Sequence, residues 1–86
     1  MTIEQLLIKY YGEKATYAFG KLYMIGTRRV HYLGGDIYSI GKDRIEIEDG
    51  KLVRVGDEEV NYSFNNKIRI GNILFKSPRK VYVEAF

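Results

Sequence analysis

Glycine placement is the strongest constraint on what this chain can fold into. After residue 25, glycines fall at 26, 34, 35, 41, 50, 56 and 71, with short runs of β-branched, aromatic and charged residues between them. Glycine interrupts strands and supplies the positive φ that tight hairpin turns need. The spacing therefore predicts a meander of short antiparallel strands.

Two hairpins are specific enough to predict a register. In Arg44 to Val55, a three-residue loop Glu48-Asp49-Gly50 would put Ile45 opposite Val53. A two-residue Asp49-Gly50 loop would instead put Ile47 opposite Leu52 and Ile45 opposite Arg54. The first keeps Ile45, Ile47, Val53 and Val55 on one face and is preferred. In the second hairpin, a Gly71-Asn72 turn pairs Ile70 with Ile73 and Ile68 with Phe75. Val60, Tyr62 and Phe64 alternate towards an Asn65-Asn66 turn, and Val81 and Val83 alternate after Pro78.

The N-terminus reads differently. Thr2-Ile3-Glu4-Gln5 matches a capping box, and Ile3, Leu6, Leu7 and Tyr10 recur at helical spacing towards Gly12. This predicts a helix over about 2–11, which good helix formers at 13–15 would allow to extend to 17. Residues 16–25 fit either a second helix or a first strand. The fold class is α+β. An N-terminal amphipathic helix precedes an antiparallel meander of about six or seven short strands over 21–86, closed as a small barrel or a strongly curled sheet. The chain is one domain, 1–86, with no internal repeat, low-complexity segment or linker.

Composition removes several function classes. The chain has no cysteine, so disulfides and thiolate metal sites are excluded. No apolar run approaches the ~18 residues that span a bilayer, and the start lacks a signal peptide's basic-then-apolar order. These point to a cytoplasmic chain with no membrane partner. Few thermolabile residues beside many charges lean towards a thermophile.

Catalysis has little material. His31 is the one histidine, and Ser39, Ser63 and Ser77 sit in no glycine-flanked elbow. The Gly35-to-Gly41 stretch fails the spacing of a phosphate loop, and Asp43 stands where a metal-binding hydroxyl is needed. Glu46 and Glu48 share a strand face, as a metal-dependent hydrolase would want. They also alternate with Ile45 and Ile47, as a solvated sheet face does. No enzyme activity, metal or other cofactor is expected.

Charge is more informative. The net +3 divides into +3 for residues 21–35, −3 for 36–50, −1 for 51–66 and +4 for 67–86. Aromatic residues accompany both basic segments: Tyr23 and Tyr32 in one, Phe75 and Tyr82 in the other. Cations beside rings are what a β surface needs to hold phosphates and stack on bases. The expected nucleic-acid-binding residues are Arg28, Arg29, His31, Tyr32, Lys76, Arg79, Lys80 and Tyr82, provided the two segments meet. The rival expectation is a protein-binding module or homodimer, in which the acidic middle meets a basic partner. Size and composition would then suit a small archaeal viral or plasmid factor acting on a host protein. In outline alone, helix-then-meander order resembles the Sm-like and SH3-like barrel plan, and fold does not fix function.

Overall fold

The computed structural model describes residues 2–63 and 67–76. Helix α1 spans Ile3–Tyr11. Nine strands follow: β1 Ala15–Ala18, β2 Lys21–Ile25, β3 Arg28–Leu33, β4 Asp36–Ile40, β5 Asp43–Glu48, β6 Lys51–Val55, β7 Glu58–Ser63, β8 Lys67–Ile70 and β9 Ile73–Lys76. They form one antiparallel sheet in chain order, β1 to β9. The expected Asn65-Asn66 turn and the expected strand around Val81 and Val83 lie outside the described residues.

The capping box forms as expected. Gln5 N–H donates to Thr2 Oγ1 at 3.1 Å, and Thr2 N–H donates to Gln5 Oε1 at 3.0 Å. Gly12, left-handed at φ 65°, ends the helix, so it does not extend to 17. Residues 16–25 are strands joined by a turn. They raise the strand number among the described residues to nine, above the six or seven expected. Among the described residues the sheet is also open, since β1 and β9 end the strand order without pairing with each other.

The ribbon nevertheless curls. Ile3, Leu6 and Leu7 of α1 share one buried cluster with Leu22, Ile25, Val30, Ile37, Ile40, Ile45, Leu52, Val55, Val60, Ile68 and Ile70. Packed sheets lie about 10 Å apart, so a flat single sheet would be a thin plate. The molecule measures 35 × 22 × 21 Å, so the ribbon coils around its own apolar face.

Two kinds of turn alternate along it. At one edge, Phe19-Gly20, Gly34-Gly35 and Asp49-Gly50 have positive φ at both positions, the type I′ pattern. At the other edge, Gly26, Gly41, Gly56 and Gly71 have positive φ and the next residue does not, as in type II′.

These four glycines recur at one constant interval, and each donates its N–H to an equivalent carbonyl. Gly26 donates to Lys14, Gly41 to Arg29, Gly56 to Arg44 and Gly71 to Glu59. The chain therefore does contain a repeat, contrary to the sequence expectation. Its unit is a hairpin running from one such glycine to the next, marked also by buried positions such as Leu22, Ile37 and Leu52. Identity between units is too low to announce it.

A β-bulge recurs with the same period. Register shifts lie between Thr16 and Tyr17, His31 and Tyr32, and Glu46 and Ile47. In each hairpin one residue of the second strand is skipped: Tyr23, Tyr38 and Val53. The bulge lets residues three apart, such as Leu22 and Ile25, both reach the core, where strict alternation would put them on opposite faces. It also corrects the expected hairpin register. Asp49-Gly50 forms a two-residue turn with Ile47 opposite Leu52, and the bulge at Val53 then brings Ile45 opposite Val55. The β8–β9 hairpin has the expected register, with Ile70 opposite Ile73 and Ile68 opposite Phe75.

Candidate nucleic-acid interface

The bulges decide what faces outward. A bulge re-aims the side chain of its extra residue. Tyr23 and Tyr38 are 38% and 41% exposed, and each carries a guanidinium over its ring. Arg29 lies 5.0 Å from the Tyr23 centroid, and Arg44 lies 5.2 Å from that of Tyr38. The two contacts have the same sequence spacing, and the second is the first moved on by one unit. The third unit has Val53 and Glu59 at these positions, so the pattern stops there.

Among the described residues the ion pairs are Arg28–Glu13 and Arg54–Glu46. Arg29 and Arg44 therefore have ring partners and no carboxylate partner within that set.

Between β2 and β3 the sheet opens. These strands pair only at Met24–Arg29 and Ile25–Arg28 and diverge beyond them, and β4 with β5 and β6 with β7 likewise pair at two positions each. The gap is a solvent-open depression of about 360 Å³, bordered by Phe19, Lys21, Tyr23, Arg29 and His31, with Leu22 and Val30 beneath. Beside it the Tyr32 hydroxyl donates to the Leu22 carbonyl at 2.8 Å. Tyr62 does the same for Leu52 at 2.7 Å, two units further along. Lys21 Nζ stands 5.3 Å from the Tyr32 ring. Burial, then the Glu4 carboxylate, raises the Tyr32 pKa, so the hydroxyl stays a donor at neutral pH.

The expected site residues fare differently. Arg29 and His31 are exposed on β3 and share the depression with Tyr32. Arg28 lies at the opposite edge, paired with Glu13 and 4.9 Å from the Tyr11 ring. There it belongs to a column of Glu13, Arg28, Asp43 and Glu58. Each side chain of the column lies against one glycine of the repeat: Glu13 against Gly26, Arg28 against Gly41, Asp43 against Gly56 and Glu58 against Gly71. Tyr11 donates to Asp43 in this column at 2.8 Å. Burial, then that bond, holds the Tyr11 hydroxyl protonated well beyond the usual tyrosine range. Lys76 ends β9, with five strands between it and β3 in sheet order. Arg79, Lys80 and Tyr82 lie outside the described residues.

Sequence reasoning missed Phe19, Lys21, Tyr38 and Arg44. The available signal was spacing, because Tyr23 to Tyr38 and Arg29 to Arg44 repeat the glycine interval. No group of three or more His, Asp or Glu among the described residues is placed to hold a metal ion. No helix of the described residues is long and apolar enough to cross a membrane. Comparison with protein-family models, with curated proteins and with solved structures finds no match to this chain.

Proposed function

We propose that the chain is a non-catalytic binding module that holds single-stranded nucleic acid across the outward face of β2 to β5. The observation that carries this reading is the pair of exposed tyrosine–guanidinium stacks, Tyr23 with Arg29 and Tyr38 with Arg44, set one unit apart. Rings accept bases, and cations without carboxylate partners accept phosphates. Lys21, His31 and Tyr32 extend the surface at the cleft.

Fluorescence anisotropy with a labelled dT12 oligomer tests it. Three phosphate contacts, from Lys21, Arg29 and Arg44, predict that log K falls with log[salt] at a slope of about −2, taking about −0.7 per contact. Arg29→Glu with Arg44→Glu abolishes binding. Affinity untouched by both changes and by salt would refute the assignment.

A protein partner is the second reading. Leu33 is 67% exposed at a hairpin tip, and β1 ends the sheet order with an open edge of the kind that pairs with other chains. Sedimentation at several concentrations detects self-association directly.

A further inference from the structure

Phe19 is out of place by every local rule. It sits at φ 53°, a left-handed conformation in which a bulky side chain is an outlier. The equivalent turn positions in the next two units are Gly34 and Asp49, residues that tolerate this geometry. Its ring is fully exposed, at 105%. The turn thus carries both backbone strain and an unburied aromatic ring, and neither helps the fold. Left-handed backbone that glycine or aspartate eases in the equivalent turns, and a bulky phenylalanine does not, points to function.

Its surroundings say what kind. Phe19 borders the 360 Å³ depression where β2 and β3 diverge, with the Tyr23 ring on the same rim. Leu22 and Val30 line it as well, with their side chains buried beneath it in the core. Lys21, Arg29 and His31 put cationic and polar groups around it, and no carboxylate among the described residues borders it. The chemistry that fits is a flat aromatic ring joined to an anion, which is a nucleotide.

We infer that this cleft is a subsite for one unstacked base, engaged by the rings of Phe19 and Tyr23, with its phosphate on Lys21, Arg29 and His31. This rests on the strand-binding reading above and adds to it a defined position for one nucleotide. A flat cation–ring surface alone would treat every nucleotide alike.

Phe19→Asn separates this role from a structural one. Asparagine accepts left-handed φ, so the variant keeps the turn and melts several degrees higher, at about 4–8 °C per kcal/mol for a domain of this size. Its affinity for dT12 falls roughly tenfold, which is about 1.4 kcal/mol and within the range for one base–aromatic stack. Phe19→Tyr keeps the ring and restores the affinity. A fully abasic 12-mer binds the parent and Phe19→Asn equally, because there is no base to stack.

Parent binding of dT12 that Phe19→Asn leaves within twofold overturns the subsite and spares the wider interface. Absence of dT12 binding by the parent overturns both. Free dTMP binds at least a hundredfold more weakly than dT12; equal affinities would reassign the cleft to free nucleotides and overturn the strand proposal.

Discussion

Removing one whole repeat is the sharpest perturbation the architecture allows. Deleting 38–52 takes out one full glycine-to-glycine interval and joins Ile37 to Val53. The new strand reads Ile37-Val53-Arg54-Val55-Gly56, which reproduces the spacing of Ile37-Tyr38-Ser39-Ile40-Gly41. Val55 takes the buried place of Ile40, and Gly56 donates to the Arg29 carbonyl as Gly41 does. Nine strands become seven. Ile40, Ile45 and Leu52 leave a core of 14 buried side chains. In a ribbon whose units contact mainly their neighbours, stability is close to a sum over units. At about 0.05–0.15 kcal/mol per residue, the loss is about 1–2 kcal/mol. The urea m-value falls by about one sixth, in proportion to the surface removed.

Deleting 38–51 instead keeps one residue more. It spaces Ile37 and Val55 by four positions in the spliced strand, where the parent spaces Ile37 and Ile40 by three. Either one aliphatic side chain turns outward, at a further cost of about 1.5–3 kcal/mol, or the glycine turn loses its closing bond. Urea unfolding followed by circular dichroism measures both proteins. Equal destabilisation by the two deletions would refute the repeat as the organising unit.

Four other outcomes follow from the same geometry. Tyr62→Phe leaves the Leu52 carbonyl without its partner and costs about 1–3 kcal/mol, read as a lower urea midpoint. Burial pushes the Tyr62 pKa up from 10.0 to about 12. Between those values the unfolded chain has lost a proton that the folded chain keeps. This part of the stability is therefore complete below pH 10 and is lost as pH rises towards 12, so urea midpoints fall over that window, less steeply in Tyr62→Phe. Gly41→Ala costs more than Gly12→Ala in thermal melts. Both force alanine into positive φ, but the new Cβ meets the Arg28 stem at 3.1 Å in the first case and open space in the second. Leu22→Ala, at a fully buried position, costs about 2–5 kcal/mol by the same assay.

Local chemistry was legible wherever one residue type dictates one geometry. Thr2 with Gln5 specified the helix start, Gly12 its end, and Gly71-Asn72 the last hairpin. The β5–β6 register was misread because a bulge is non-local in its logic. Nothing in Leu52-Val53-Arg54-Val55 by itself says that residues three apart both face inward. That becomes evident only when Leu22 and Ile25, and Ile37 and Ile40, are seen to do the same. The repeat was hidden for the same reason, since its constant parts are backbone conformations and buried volume. Charge beside rings singled out Arg29, His31 and Tyr32, which line one depression of the candidate interface. Arg28 looked equivalent to its neighbour, yet strand alternation turns it to the opposite face and to Glu13. Phe19 carried no sequence signal beyond standing where a sister unit has Asp49.

Chemical-shift mapping of the ¹⁵N-labelled protein against dT12 tests the claim that the outward face of the first two units is the binding surface. Amides of residues 19–23, 29–32, 38–39 and 44 are expected to move together with one saturation curve, while those of 52–60 stay in place. Shifts centred on the Glu13–Glu58 column or on β6 and β7, or no shifts at saturating oligomer, would contradict it.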